Sequence, residues 1–180
     1  PPPVLAPALA PRRAERDGPQ ATVISTPNSP SWFDSLTMDT ARAEVLYRLE
    51  QADKYNRFFA FAPLTEHGDR IIVHAKMSII DDRLLRIGST NLNNRSMGLD
   101  TECDIAAEPT DAAGRAVITA HRHRTIAHWL GVAADDYGAV EAVFGSVGQA
   151  ICSFETDRLK PLGSDPPTRI QRMFAEWQLG

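Results

Sequence analysis

The chain has little that would tie it to a membrane or to disulfide chemistry. Its 180 residues include two cysteines, Cys103 and Cys152, and their spacing matches no metal or redox motif, so we expect two buried thiols. No apolar run of about 20 residues is present, and the proline-rich start resembles neither a spanning helix nor a signal-peptide core. The sequence does not determine the cellular compartment. We expect a soluble or peripheral membrane protein, with the cytoplasm slightly favoured.

The chain also lacks the positive charge that is typical of nucleic-acid-binding proteins. It has 19 basic and 23 acidic residues and a formal net charge of -4. A nucleic-acid binder usually carries a basic patch that neutralises phosphates. Nucleic acid is therefore a less favoured partner.

The length and the residue pattern indicate one globular unit with an α/β fold. A chain of this size that is 43% hydrophobic can bury one core. The β-rich runs at 21–25 and 58–62 alternate with amphipathic stretches, which predicts a mixed β-sheet flanked by helices. We expect an irregular proline-rich segment at 1–19, one domain at 20–160, and a linker with a short helix at 161–180.

Several helix boundaries can be predicted from capping residues. Asp34 or Ser35 is expected to cap a helix that ends near Ala52. A second helix is predicted from Asp111 to Gly131. The candidate N-caps of the later helices are Asp135, Ser146 and Thr168.

The densest group of polar and glycine residues lies between positions 74 and 91. The apolar residues 71–73 before His74 and the apolar residues Met77, Ile79 and Ile80 after Lys76 predict a strand of about ten residues. Side chains two residues apart on a strand project to the same face. His74 and Lys76 are therefore expected to stand side by side.

The residues that follow predict a hairpin. The run Asp81-Asp82-Arg83 interrupts the apolar sequence as a turn does, and residues 84–87 supply a returning strand. Gly88 ends that strand where the backbone can approach a ligand, and Ser89 and Asn91 share a face if the chain stays extended. An imidazole, an ammonium, a hydroxyl and a carboxamide would then converge at one end of the hairpin.

This set of side chains suits a phosphate. Lys76 offers a positive charge, and Ser89 and Asn91 offer neutral donors to the non-bridging oxygens. His74 carries an imidazole, which can attack phosphorus or move a proton. A carboxylate such as Glu102 could orient its ring. The arrangement requires no metal and no other cofactor.

The segment from Ile72 to Glu108 resembles the phospholipase D superfamily signature, H-x-K-x4-D-x6-G-S-x-N, with every position filled. The stretches 93–96 and 98–105 are similar to the downstream part of enzymes that act on phospholipids. The resemblance implies that residues 20–160 form one phospholipase D-like lobe. It also implies that two such motifs build one site, in which one histidine becomes a phosphohistidine and the other protonates the leaving group.

The resemblance also implies a role for each motif residue. His74 would be catalytic, Lys76 and Asn91 would bind phosphate, Ser89 would support the phosphate or the histidine, and Glu102 would orient His74. Asp81 and Gly88 are motif residues with structural roles, and Asp81 is expected to act on the turn rather than in the chemistry.

The chain contains only one H-x-K motif, so we expect half of a site. Either two copies of His74 face each other in a homodimer, or the chain is the second half of a longer two-lobed enzyme. The start at Pro1 rather than methionine favours the second alternative. His74 would then be the general acid, which is the usual role of the second-motif histidine in two-lobed members of the family.

The predicted function is hydrolysis or transfer of the phosphatidyl group of phospholipids, with peripheral contact to a membrane and a second motif as partner. The alternatives are a symmetric-dimer nuclease, a cardiolipin synthase-like transferase and a catalytically inert half-domain. The basic residues between 115 and 128 include three histidines that could bind an anion, but a solvated helix face is the preferred interpretation.

Overall fold

The computed structural model describes residues 10–12, 14–26, 39–92 and 94–163. The strands form two three-stranded sheets, β1-β2-β6 and β3-β4-β5, which together with the helices confirm the predicted α/β class. In chain order the elements are β1 (Ala21–Ile24), α1 (Thr40–Ala52), β2 (Phe58–Pro63), β3 (Lys76–Ile80), β4 (Leu84–Gly88), α2 (Asn94–Gly98), β5 (Asp104–Ala107), α3 (Ala112–Leu130), α4 (Ala134–Phe144), α5 (Val147–Ser153) and β6 (Leu159–Pro161).

The chain divides into two compact units where the sequence predicted one. The first comprises Pro1–Val73 with Leu159–Gly180, and the second comprises His74–Arg158. The division falls inside the predicted domain at 20–160, whose outer boundaries stay predictions. Most of the predicted terminal helix, with the proposed cap Thr168, lies outside the described residues, as does much of the proline-rich start.

The first unit is built on β2, which is paired in parallel with β1 and antiparallel with β6. Both predicted strands, at 21–25 and 58–62, are therefore confirmed within a residue. Leu46 and Leu49 of α1 pack with Phe58 and Ala60 of β2, so that one apolar stripe of the helix covers the sheet. The predicted caps of this helix, Asp34 and Ser35, lie outside the described residues.

The second unit contains the predicted hairpin. The strands β3 and β4 pair antiparallel, and the Arg83 N–H donates to the Ile80 carbonyl across the turn (2.9 Å). Asp81 and Asp82 have φ values of 53° and 51°, in the left-handed region that aspartate tolerates better than most residues. The pair of aspartates therefore predicts the turn for a conformational reason as well as for its polarity.

The first hairpin strand is shorter than predicted. It begins at Lys76 rather than near Ile71, so His74 precedes the strand. The Ile71 N–H donates to the Pro63 carbonyl (3.2 Å), and the Val73 N–H donates to the Thr26 hydroxyl (2.7 Å). The β-branched run 71–73 thus uses its backbone donors in the first unit, a long-range arrangement that local sequence pattern does not reveal.

The helices of the second unit follow most of the predicted capping signals. The Asp111 carboxylate accepts from the Gly114 N–H (2.7 Å) at the start of α3, and Gly131, with φ 77°, closes this helix. Ser146 caps α5. The predicted cap Asp135 is wrong: Ala133 occupies the cap of α4, and Asp135 lies in the first turn, where the helix dipole favours a carboxylate.

The structure tests two expectations drawn from composition, the burial of the cysteines and the lack of a membrane-spanning segment. Cys103 and Cys152 are both exposed, so the expected burial of the two thiols is wrong. Of the helices in the described part of the chain, none is both long enough and apolar enough to cross a membrane.

Candidate active site

All motif residues except Asp81 lie on or beside the strand ends at one edge of the sheet in the second unit. Lys76, Gly88 and Asp104 form a cross-strand row. Because both strand pairs are antiparallel, the first residues of β3 and β5 and the last residue of β4 meet at this edge. The other motif residues that flank these strand ends are His74, Ser89, Asn91 and Glu102.

His74 lies exposed just before β3. The Lys76 ammonium donates to the backbone carbonyl of His74 (3.0 Å), which ties the lysine to the chain that carries the imidazole. The imidazole itself makes no hydrogen bond to any other residue that the structure describes. Both ring nitrogens therefore keep their capacity to bind a ligand or move a proton.

Ser89 extends the pairing of β4 and β5 beyond the strand ends. Its N–H donates to the Cys103 carbonyl (3.1 Å), and its hydroxyl accepts from the Cys103 N–H (3.0 Å). The same hydroxyl donates to Oε2 of Glu102 (2.5 Å). The Ser89 side chain is therefore engaged on both its donor and its acceptor side.

Glu102 makes a different contact from the one expected. The sequence predicted that its carboxylate would orient His74, but no hydrogen bond joins these two residues, both of which are described. The extended chain before β5 runs antiparallel to the chain after β4, so the nearest donor is the Ser89 hydroxyl. Glu102 thus fixes Ser89 in this chain, and its effect on His74 stays a prediction.

Asn91 is half-buried and follows a buried residue, Thr90. Its carboxamide makes no hydrogen bond within the described ranges 10–12, 14–26, 39–92 and 94–163. The two N–H donors of the carboxamide are therefore available to a ligand, in the loop that follows the end of β4.

Gly88 is required for a reason other than the one predicted. A Cβ atom on Gly88 would overlap Oδ1 of Asp104, its pairing partner on β5. The predicted open approach for a ligand is thus occupied by a carboxylate of the same unit. The glycine was visible in the sequence, whereas the partner that requires it was not.

Asp104 and Arg86 are site residues that the sequence pattern did not single out. The Asp104 carboxylate accepts from the hydroxyl and the N–H of Thr90 and from Nη2 of Arg86 (2.9 Å). These hydrogen bonds, that of Thr90 first, hold the pKa of Asp104 below its ordinary value. The signal that the sequence did carry for Asp104 was its place in the stretch 98–105, which resembles enzymes that act on phospholipids.

The opposite end of the hairpin carries a second polar cluster. The exposed Asp81 makes no side-chain hydrogen bond to another described residue, whereas Asp82 accepts from Nε and Nη2 of Arg122 (both 2.7 Å). Thr119 also donates to Asp82 (3.0 Å), and Arg122 donates to Glu141 (2.5 Å). The hydrogen bonds from Arg122 lower the pKa of Asp82. This cluster ties the turn to α3 and α4.

The basic stretch on α3 is less solvated than expected. His121 contacts the Met77 sulfur (3.4 Å), and His123 lies 3.5 Å from Glu141 and edge-on to Tyr137. The preferred interpretation of a solvated face is therefore wrong for these histidines and for Arg122, which pack inside the unit. The exposed basic residues of the stretch are Arg115, Arg124 and His128.

One protein family matches the chain. The family described as "Cardiolipin synthase, PLD-like domain" matches residues 7–121, a range that includes the whole motif and excludes Arg122 and Glu141. No curated protein and no solved structure matches the chain. Because the match covers more than half of the sequence, the chain belongs to this phospholipase D-like family.

Proposed function

We propose that this chain supplies one half of a phosphodiester-transfer site that acts on phospholipids, with His74 as its acid–base residue. The observation that carries the proposal is the set of polar residues on and beside the strand ends at one sheet edge, where Lys76 pairs with Gly88. Two of these residues, His74 and Asn91, have side chains that make no hydrogen bond to any described residue. Membership of a phospholipase D-like family supports the same chemistry.

The binding roles can be divided by the hydrogen bonds already present. Lys76 supplies positive charge, and Asn91 supplies donors to the non-bridging oxygens, which carry most of the negative charge. The Ser89 hydroxyl already donates to Glu102 and accepts from Cys103. We therefore assign phosphate binding to Lys76 and Asn91, and support of the loop to Ser89.

The proposed reaction has two steps. A histidine from a second motif attacks phosphorus, the bond to the leaving alcohol breaks, and His74 donates a proton to the alcohol oxygen. Neutral His74 then removes a proton from water or from an acceptor alcohol. The resulting nucleophile attacks the phosphohistidine, releases the second histidine, and leaves His74 protonated for the next turnover.

The second histidine must come from outside the 180 residues, because the chain has one H-x-K motif. A second lobe of a longer protein or a second copy of this chain could supply it. Either source would bring two motif edges together, so that the two imidazoles stand on opposite sides of one phosphorus atom.

A transferase that uses an alcohol of another lipid as acceptor is the second candidate. The description of the matching family as cardiolipin synthase favours it. It differs from hydrolysis only in the group that enters at the second step, so the same residues of this chain would serve both reactions.

The separating experiment offers phosphatidylcholine with a primary alcohol and, in parallel, single- and double-stranded DNA. Both substrates are given to the chain alone and to the complete product of its open reading frame. Formation of a phosphatidyl alcohol or phosphatidic acid supports the proposal. Cleavage of DNA without any lipid product would identify a nuclease instead, and inactivity of both preparations would identify an inert half-domain.

A further inference from the structure

The loop that carries Ser89 and Asn91 is built around Thr90. This residue is buried (7% exposed), and its three polar groups are held by two charged side chains. Its N–H donates to Oδ1 of Asp104 (3.3 Å), and its hydroxyl donates to Oδ2 of the same carboxylate. Its carbonyl accepts from Nη2 of Arg86 (3.1 Å), and the same Nη2 donates to Asp104 (2.9 Å).

We propose that Asp104, together with Arg86, is a positioning residue that fixes Thr90 and thereby directs Asn91 toward a bound phosphate. The inference rests on the proposed function, since it concerns the phosphate subsite of the same reaction. Neither Asp104 nor Arg86 would touch the substrate. Both act through the backbone of Thr90.

The sheet register explains how a side chain of β5 reaches this loop. Asp104 pairs with Gly88, and Arg86 lies two residues earlier on β4, so Arg86 and Asp104 project to the same face. Because Gly88 has no side chain, the Asp104 carboxylate can cross the end of β4 and reach Thr90. The motif glycine thus makes room for the residue that holds the loop.

The contacts restrict the loop in two ways. A residue whose N–H and C=O are both bonded has little remaining backbone freedom, so the Cα–Cβ bonds of the residues before and after it keep fixed directions. In addition, the guanidinium of Arg86 offsets the negative charge of Asp104, which would otherwise repel an anionic phosphate nearby. The pair can therefore organise a phosphate subsite without opposing its ligand.

The test uses the full 180-residue chain and inorganic phosphate as the probe. Amide NMR shifts of Ser89 and Asn91 report phosphate binding, and hydrogen exchange of the Thr90 amide without phosphate reports the clamp itself. Asp104→Ala should weaken phosphate binding roughly 10-fold and speed Thr90 exchange by a similar factor, since one charged acceptor is lost. Asp104→Asn should bind phosphate more tightly than Asp104→Ala, and its Thr90 amide should exchange more slowly, because the carboxamide oxygen can still accept from Thr90.

Two further variants separate positioning from a general loss of structure. Gly88→Ala brings a Cβ against both the carboxylate and the Cα of Asp104, so it should displace the start of β5 together with the carboxylate and weaken phosphate binding at least as much as Asp104→Ala. Glu108→Ala, which removes an exposed carboxylate just after β5, should change neither readout. A variant that only folded less completely would give a weaker NMR signal of folded protein. The dissociation constant for phosphate, measured on the folded molecules, would stay unchanged.

The outcomes distinguish the inference from the proposed function. If the wild-type chain binds phosphate and Asp104→Ala binds it equally well, the positioning role is overturned. If phosphate does not shift the amide signals of Ser89 and Asn91 in the wild-type chain, the proposed function loses its support. The clamp is then judged by hydrogen exchange alone, and it is rejected if the Thr90 amide exchanges as fast in the wild type as in Asp104→Ala.

Discussion

The two ends of the β3–β4 hairpin use polar side chains in opposite ways. At the turn end, Asp82, Arg122 and Glu141 satisfy one another in a network that joins the hairpin to two helices. At the motif end, Ser89 and Thr90 are held by hydrogen bonds to Glu102 and Asp104. The ring of His74 and the carboxamide of Asn91, in contrast, bond to none of the described residues.

This difference indicates where function resides. A paired polar group stabilises a fold because its hydrogen bonds are complete, whereas an unpaired one near the surface keeps its capacity for a ligand. The turn end should therefore respond to substitution mainly in stability, and the motif end mainly in binding and turnover. Substitutions at each end test this separation.

The largest expected effect is that of His74→Asn. In the assembly that contains both motifs, turnover should fall on the order of 100- to 10,000-fold, because asparagine cannot donate the proton to the leaving group. The free energy of unfolding should change by less than about 0.5 kcal/mol, since the exposed ring supports no described contact. Phosphatidyl alcohol formation and urea unfolding measure the two quantities.

The matched control is His67→Asn. His67 is an exposed histidine in the polar turn before Asp69, and it has no lysine two residues later. This variant should retain wild-type turnover. If His74→Asn kept turnover within a few-fold of wild type, or if both variants lost it equally, His74 would not be the acid–base residue.

The next effect in size is that of Arg122→Ala at the turn end. Removing the guanidinium leaves Asp82 and Glu141 half-buried without their cation, which should destabilise the second unit by about 2 kcal/mol. Phosphate binding at Ser89 and Asn91 should stay within a few-fold of wild type in the folded protein, because the sheet edge is not part of this network.

The control for this substitution lies on the same helix. Arg124 is exposed, and Arg124→Ala should change the urea midpoint little. A loss of phosphate binding in Arg122→Ala that exceeds its loss of stability would show that the two ends are coupled, and the separation between a structural and a functional end would fail.

The sequence predicted the hairpin and its capped helices because these depend on local residues. The run Met77–Ile80, the two aspartates and the returning apolar strand are all within reach of pattern reasoning. Asp111 and Gly131 likewise specify their own helix ends, since a cap acts on backbone groups three or four residues away.

The parts that could not be predicted depend on cross-strand register and distant partners. The clamp on Thr90 requires Asp104, fourteen residues away, to pair with a glycine. The partner of Asp82 lies forty residues away on α3. Residues 71–73 look like part of the hairpin strand, but the N–H groups of Ile71 and Val73 bond to Pro63 and Thr26 within the first unit instead. In each case a long-range contact decided between arrangements that the local pattern permits equally.

The smallest expected effect is on the acid dependence of stability at the turn end. The hydrogen bonds from Arg122 lower the pKa of Asp82 below the value of 3.8 that applies to the unfolded chain. A carboxylate with a lowered folded-state pKa contributes stability above the unfolded value, and this contribution is lost as the pH falls through the folded value. Asp82→Asn should therefore be less stable than wild type at neutral pH, and the gap should narrow below about pH 3.8.

Asp81→Asn is the adjacent control, because asparagine tolerates the left-handed backbone and the ion pair of Asp82 with Arg122 remains intact. Its urea midpoint should follow the wild-type pH dependence from pH 7 to pH 3. The clamp residue Asp104 also titrates in the acid range, but it is present in all three proteins, so its contribution cancels in the difference. A gap between wild type and Asp82→Asn that stays constant across this range would mean that the charge of Asp82 does not anchor the turn. The turn would then be held by the shape and packing of its residues, and ion pairing would not be what distinguishes the two ends of the hairpin.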